Sequence, residues 1–376
     1  MTDPKYIDQL LHLAGSYRAS GKFDSAKKTY QKIIEIDTTN TLALRLIIDY
    51  LDTNELIKHE ERLNALELRN IKDEKKIDLF FALGILYENL KKFKRSAKYF
   101  DEANDLKRKI YPYNFDLLNN HFDNLEKVFS QIAFKKIGFD NQKRIIFVIG
   151  LPRSGTSLIE AILSTNKNIY PAGEIPNLKK IIRENFVING SLDFNKISEA
   201  INKKDEKIYE LYVGNNNLKN VKENIIIDKN TENFKFIGLI NTFFKNSKII
   251  NCVRDPFENF CSLYKINFNS SELNWTNSKS QIVNYHKHYF KLINFWKSKN
   301  VDNILDIYFE ELLLNTDYTI NKLLDFCDLE KNYNYKNFYK LESLIIKTAS
   351  ANQARKSIQK ENVFKYEKFK NYFDFN

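Results

Sequence analysis

The stretch RIIFVIGLPRSGTS, from Arg144 to Ser157, runs an apolar, β-branched-rich strand straight into a loop sized for a phosphate. Gly150 and Gly155 have the G-x4-G spacing of a Walker A loop, and Ser157 stands at its Ser/Thr position. Thr156 occupies the place where such a loop carries lysine. The segment therefore describes a phosphate cradle, but not an ordinary ATP or GTP cradle.

Toward the C-terminus, strands are expected at Ile145 to Ile149, Ile225 to Ile227, Lys248 to Val253 and Ile304 to Tyr308, each followed by a loop and a helix. The first of these helices should run from about Leu158 to Ser164. Strands alternating with helices give βαβ units and a parallel sheet, whose ligands sit beyond the carboxyl ends of the strands. Toward the N-terminus, from Tyr6 to about Arg108, apolar residues recur at the helical period with almost no glycine or proline. Leu10, Leu13, Ala14, Tyr17, Gly21, Phe23, Ala26 and Tyr30 set out a scheme that Phe80, Leu83, Gly84, Tyr87, Phe93, Ser96, Phe100 and Ala103 repeat 70 residues later. That is two units of about 34 residues, the period of the tetratricopeptide (TPR) repeat, and a degenerate third unit is expected around Leu42 to Leu68. Small residues at Ala14, Ala26, Gly84 and Ser96 let paired helices approach while the aromatic residues fill the spaces between them. A helical hairpin array with no binding role is the plainer alternative.

The fold class expected is α/β, a P-loop-like three-layer domain with a parallel sheet at residues 141–376, preceded by an all-α TPR-like repeat domain at 1–110. A helix from roughly Phe115 to Phe134 should link the two across residues 111–140. The hydrophobic fraction of 43% is ample for real cores, and the net charge of +11 favours an anionic ligand. The lysines are scattered rather than gathered into a block, which argues against a nucleic-acid partner. Cys252, Cys261 and Cys327 are odd in number and lack C-x-x-C spacing, so neither a disulfide framework nor a metal site is suggested. His286 and His288, two apart on a helix, point to different faces and are expected to serve packing or surface. The start MTDPKYIDQLLHLAGS has no basic region followed by a long apolar core, and no run suits a membrane span, so a soluble cytoplasmic protein is expected.

A second motif, INCVRDPFENFCSLY, delivers Arg254 from a strand end, with Ser262 eight residues later in the following helix. The guanidinium offers a planar fork of donors suited to a phosphate, though an Arg254–Asp255 pair organising the turn is the simpler alternative. Taken together, PRSGTS after one strand and R-D-P with a serine eight residues on after another resemble the two signatures of sulfotransferases that use 3′-phosphoadenosine-5′-phosphosulfate (PAPS). The resemblance runs from about Arg144 to Tyr372 and is closest to bacterial TPR-sulfotransferases, more remotely to tyrosylprotein sulfotransferases.

The resemblance implies that Arg153, Ser154, Gly155, Thr156 and Ser157 form the 5′-phosphosulfate loop, and that Arg254 and Ser262 bind the 3′-phosphate. PAGEI, with Gly173 and Glu174, is similar to the family's GAGE segment and makes Glu174 the general base for the acceptor hydroxyl. IIDKNTEN is similar to the D-K-x-P segment, which puts Lys229 against the transferring group and the leaving phosphate; Asn230 and Thr231 depart from the pattern and the proline is missing. KTASANQARKSI resembles the T-A-S-x-x-Q-x-R segment, implying a sulfate-side contact from Ser350 and a cofactor-facing Arg355. In VFKYEKF, which stands where V-G-R-W is usual, Lys365 takes the place of a 3′-phosphate contact and Phe364 that of the glycine. Tyr308, Glu310 and Glu311 match a non-catalytic segment and should close the sheet and cap a helix.

These assignments imply PAPS as co-substrate, no metal, and an acceptor hydroxyl. A peptide or protein hydroxyl such as tyrosine suits the repeats, with carbohydrate and small-molecule acceptors open, and the stretch from Phe268 to Trp275 is expected on the acceptor side. A homodimer is permitted by the repeat faces. Two rivals stand beside this: a P-loop nucleotide kinase or NTPase, opposed by the missing lysine and left only Asp228 for magnesium, and a TPR adaptor with an inactive sulfotransferase-like domain.

Overall fold

A computed structural model describes residues 4–134, 143–299, 301, 303–331, 333–341, 354–373 and 375. The helical half comprises α1 (Pro4–Ala19), α2 (Phe23–Ile36), α3 (Thr41–Leu46), α4 (Thr53–Glu67), α5 (Asp73–Asn89), α6 (Phe93–Ile110) and α7 (Phe115–Ser130). The α1–α2 and α5–α6 pairs follow the repeat scheme. A Cβ on Gly84 would lie 2.7 Å from the Phe100 ring, and the Ser96 hydroxyl donates to the Gly84 carbonyl at 2.8 Å, so small residues set how closely α5 and α6 meet. Both pairs turn through a left-handed residue, Gly21 (φ 78°) in one and Lys91 (φ 59°) in the other. Over Leu42 to Leu68, where a degenerate unit is expected, stand the short α3, capped by Asn40, which accepts from the Ala43 N–H, and α4, entered through an Asp52–Glu55 capping box.

The linking helix ends at Ser130 rather than Phe134. Phe134 instead turns its ring onto Trp296, 5.7 Å between centroids, and over Gly238, where a Cβ would sit 2.5 Å away.

The α/β half continues with β1 (Arg144–Gly150), α8 (Thr156–Leu163), β2 (Ile169–Pro171), α9 (Asn177–Phe186), β3 (Val187–Ile188), β4 (Ser191–Leu192), α10 (Phe194–Lys203), α11 (Lys207–Gly214), β5 (Ile225–Asp228), α12 (Ile237–Phe243), β6 (Lys248–Val253), α13 (Pro256–Tyr264), α14 (Lys279–Ser298), β7 (Ile304–Tyr308), α15 (Phe309–Leu314) and α16 (Thr316–Phe326). Among the described residues the main sheet has five strands in the order β2-β5-β1-β6-β7, every pair parallel. Strand alternation divides the core: Ile145, Phe147 and Ile149 pack with α7, α9 and α11 to α14, whereas Ile146 and Val148 pack with α8, α15 and α16. The result is three layers. The larger of these clusters also takes in Ile77, Phe81, Ala97, Phe100 and Ala103 of α5 and α6, so the last repeat shares a core with the sheet.

Candidate functional site

After β1 the chain crosses to β2 and β5 on one side of that strand and then to β6 and β7 on the other. The carboxyl end of β1 is thus the switch point where a parallel sheet opens a crevice. The PRSGTS loop fills it under tight constraint. A Cβ on Gly150 (φ 147°) would lie 2.5 Å from the Cys252 carbonyl, and one on Gly155 (φ 104°) would lie 2.7 Å from the Phe309 ring. Arg153 itself is left-handed at φ 70°, strain of a kind that persists only where the surroundings hold it. Asn259 supplies part of that hold, donating to the Pro152 carbonyl at 3.0 Å, and His286 Nε2 pairs with the Asn259 side-chain Oδ1 at 2.9 Å. Burial draws His286 down to about 4, so it is neutral at pH 7 and works as scaffold. His288 stacks on Phe122 with centroids 4.7 Å apart.

On one side of the loop Arg153, Ser157, Arg254, Phe309, Lys365 and Tyr366 line a cavity. Among the described residues its wall has four cationic side chains, Lys356 being the fourth, and no carboxylate. Arg254 is fixed from behind: Nη1 donates to the Arg153 carbonyl and Nη2 to Glu258 Oε2, both at 3.2 Å, and the Phe309 ring lies 4.8 Å from the guanidinium. Its Nε is buried without a hydrogen-bond partner among the described residues. Arg153 Nε donates to Ser262 Oγ at 3.0 Å. Burial foremost lowers the Arg153 guanidinium to about 10, with Tyr366 pulling it upward and the like charge of Arg254 pushing it further down, so Arg153 is still cationic at pH 7. Two arginines on the wall of one acid-free hole suit a phosphate.

On the other side lies a cleft of about 1080 Å³, whose lining also includes Arg153 and Ser157, together with Thr156, Glu174, Trp275 and Tyr285. Phe268, Ser270 to Leu273 and Trp275 form one wall, and Trp275 stacks on Tyr285 at 4.0 Å. Glu174 reaches Lys229 because pairing between β2 and β5 continues past the strand ends: the Ala172 N–H donates to the Ile227 carbonyl at 2.9 Å and the Lys229 N–H to the Gly173 carbonyl at 3.0 Å. Lys229 Nζ then meets Glu174 Oε1 at 2.6 Å, with the lysine side chain 2% exposed and the glutamate 52%. Asn230, standing in a loop that lacks the family's proline, does the constraining by hydrogen bonds: its side chain accepts from the Glu232 N–H at 3.0 Å and donates to the Ile175 carbonyl at 2.9 Å.

Two carboxyls lie beneath this pair. Glu160 of α8 accepts the Gly173 N–H at 3.1 Å, and Asp228 accepts the Tyr212 hydroxyl at 2.8 Å. Burial raises both, Asp228 to about 7. Unfolding returns Asp228 to the ordinary aspartate range, so the folded state binds the extra proton between about pH 4 and 7 and its stability falls as pH rises through that window. Asp228→Asn keeps an acceptor for Tyr212 and is expected to flatten the fall, stabilising the protein at pH 8 by up to about 4 kcal/mol. Thermal unfolding of both forms at pH 5 and 8 checks this; an equal pH slope in the two would refute it. Asp228 is fully buried and turned to Tyr212, a poor position for a magnesium ligand.

The structure gathers Arg153, Gly155, Ser157, Arg254 and Lys365 around the cationic cavity, and Thr156 and Glu174 around the larger cleft. Ser262 lies behind Arg153 rather than on either wall. Ser154 is folded under the loop, its N–H closing onto the Leu151 carbonyl at 3.1 Å. Arg355 requires a correction: it faces the repeats, not the cavity. Its guanidinium donates to the Ala19 carbonyl at 3.2 Å and the Leu341 carbonyl at 3.0 Å, in room left by Gly21, where a Cβ would lie 2.8 Å from Arg355 Cδ. Ser350 lies outside the described residues. Phe364, exposed, takes the left-handed φ of 51° that the family's glycine would adopt without strain. Glu310 accepts the Asp255 N–H at 3.0 Å and so steadies the turn after Arg254. Phe309, Tyr366 and Glu258 were not anticipated; the first two are aromatic residues beside motifs already singled out. Among the described residues no group of His, Cys, Asp and Glu could hold a metal ion, and no helix is long and apolar enough to cross a membrane.

A parallel sheet with a phosphate-sized loop at its switch point and an arginine-lined hole beside it defines an anion-handling α/β domain. A family model described as "Sulfotransferase family" matches residues 145–333, half of the chain, and the chain belongs to that family. A tetratricopeptide-repeat model matches residues 10–40 and 77–110. A relative from Aquifex aeolicus (strain VF5), described as "Uncharacterized protein", is 26% identical over 388 residues, covering 98% of this chain and 49% of its own length. The chain thus spans about half of that relative. A Caenorhabditis briggsae protein described as "Putative protein-tyrosine sulfotransferase" is 23% identical over 196 residues, 50% of this chain and 67% of that one. Among solved structures, the sulfotransferase domain of the Synechococcus PCC 7002 olefin synthase aligns with 63% of this chain and 91% of its own at 17% identity and a TM-score of 0.43.

Proposed function

We propose that the chain transfers a sulfuryl group from PAPS to an acceptor hydroxyl. The observation that carries this is the cationic, acid-free cavity, which adjoins the PRSGTS loop and holds Arg254 at the end of the neighbouring strand. Such a hole has a use for a 3′-phosphate that ATP lacks. Arg153 and the first turn of α8 would hold the 5′-phosphosulfate, Arg254 and Lys365 the 3′-phosphate, with Ser262 steadying Arg153.

The acceptor oxygen attacks sulfur from the cleft side as the bond between sulfur and the 5′-phosphate oxygen breaks. Its proton passes to Glu174, and adenosine 3′,5′-bisphosphate leaves. Lys229 offsets the charge growing on the leaving oxygen, and Ser350 is assigned to the sulfate side by resemblance alone. For the acceptor, a tyrosine or other peptide hydroxyl is favoured: the cleft is roomy enough for a ring, and the C. briggsae relative's description names protein tyrosine. Three buried free thiols suit a reducing cytoplasm.

Isothermal titration with adenosine 3′,5′-bisphosphate against ADP tests the donor. We expect the bisphosphate to bind at least tenfold more tightly, by about 1.4 kcal/mol or more; equally weak binding of both would sink the assignment. Mass spectrometry of peptides, glycans and alcohols incubated with labelled PAPS identifies the acceptor.

A further inference from the structure

Lys265 follows α13, only 7% exposed, with its ammonium 3.9 Å from the centre of the Tyr366 ring and 4.7 Å from that of Phe369. A cation caged by rings still needs a counter-charge, and the one it has comes from the repeats: Glu88 of α5, its Oε2 at 2.5 Å and its side chain 12% exposed. Among the described residues Glu88 Oε1 is buried with no hydrogen-bond partner, so this carboxylate is committed to Lys265. Tyr366 carries the connection onward. Its backbone N–H donates to Glu258 Oε1 at 2.6 Å, and the other oxygen of Glu258 holds Arg254 Nη2. The Tyr366 ring also lies 5.7 Å from the Arg254 guanidinium and lines the cationic cavity. Phe93 of α6 meets Phe369 edge-on at 5.6 Å, pressing the same C-terminal segment from the repeat side.

We infer that Glu88, in the last helical repeat, is a positioning residue for donor discrimination: through Lys265 and Tyr366 it seats the Glu258–Arg254 pair that reads the 3′-phosphate. The inference rests on the proposed donor. Without the carboxylate, the Lys265 charge either leaves its ring cage for water or moves with Tyr366, and in both cases the N–H that orients Glu258 is displaced. The segment that holds the 3′-phosphate arginine is therefore set by a residue about 166 positions earlier in the chain. The repeats serve the donor site directly, whatever they do for the acceptor.

The test uses the full chain and two probes, adenosine 3′,5′-bisphosphate and adenosine 5′-monophosphate, titrated calorimetrically. Glu88→Gln is expected to weaken bisphosphate binding about tenfold and monophosphate binding less than about twofold, so their affinity ratio falls. The double variant Glu88→Gln/Lys265→Met, which replaces the buried pair by an uncharged one, is expected to restore the ratio to within about twofold. Glu60→Gln, which removes the more exposed Lys92–Glu60 repeat pair, should leave it unchanged. Should Glu88→Gln fail to fold, Glu88→Asp keeps the charge but withdraws it by one methylene, and a fall of about threefold is expected. An unchanged ratio in the folded variant, or an equal loss of both ligands, overturns the inference alone. A wild-type chain with no preference for the bisphosphate overturns the donor assignment and this inference together.

Discussion

Replacing Lys229 by methionine is expected to lower the rate of sulfuryl transfer about a thousandfold while changing the affinity for adenosine 3′,5′-bisphosphate by less than about threefold. The lysine is nearly inaccessible and closes on Glu174 at 2.6 Å. It also stands at the carboxyl end of β5, the strand beside the one that carries the loop. In the resting site its charge is answered by Glu174, with Glu160 and Asp228 beneath and burial holding both of those toward their neutral forms. In the proposed transfer, Glu174 becomes neutral on accepting the acceptor's proton, and the Lys229 charge turns to the leaving phosphate just as that phosphate gains its own. Glu174→Gln alone should cost about 10²- to 10⁴-fold. Because the two groups act as one unit, the double variant should be scarcely slower than the worse single one. Single-turnover transfer of label from PAPS measures all three; additive losses, or a Lys229→Met enzyme within tenfold of wild type, would defeat the coupling.

Much of this was legible in the chain because it depends on local pattern. An apolar run ending in G-x4-G determines a strand, a tight turn and a helix start within fourteen residues, and the same holds for β5 to Lys229 and β6 to Arg254. The edge strand β2 escaped because it has three residues and ends in Pro171, tolerable only where one side of the strand needs no partner. The β3–β4 hairpin carries a short-range signal of its own. Asn189-Gly190 between Val187-Ile188 and Ser191-Leu192 is a two-residue turn with positive φ at both positions, and Val187, Gly190 and Leu192 line the cleft. Arg355 could not be placed from its motif, since its partner carbonyl is 336 residues away and its path depends on a missing Cβ at Gly21. Glu88 and Lys265 were invisible for the same reason. An isolated glutamate on a repeat helix reads as a solvated face until packing brings it to a buried lysine.

A chain beginning at Tyr111 is expected not to fold, although a boundary there falls between two helices. Phe81 and Phe100 belong to the cluster built on β1, and losing each such ring from a core costs about 3–5 kcal/mol. The polar contacts across the boundary are equally deep. Asn104 donates to the Tyr264 carbonyl at 2.9 Å, Asp101 accepts the Tyr264 hydroxyl at 2.8 Å, and Lys107 donates at 2.6 Å to both the Asn267 side chain and the Phe268 carbonyl. Burial lowers Lys107 to about 8, so it is still mostly charged at pH 7 and remains the fixed end of the segment that walls the larger cleft. Each buried group orphaned by the cut adds about 1–3 kcal/mol to the loss. Together these are comparable to the whole of the roughly 5–15 kcal/mol by which a domain is stable at all. The full chain should show a thermal transition sharpened by adenosine 3′,5′-bisphosphate, and the 111–376 fragment neither a cooperative transition nor binding. A soluble fragment melting near the full chain would mean that the shared core contributes little, and that the repeats are separable from the sheet they pack against.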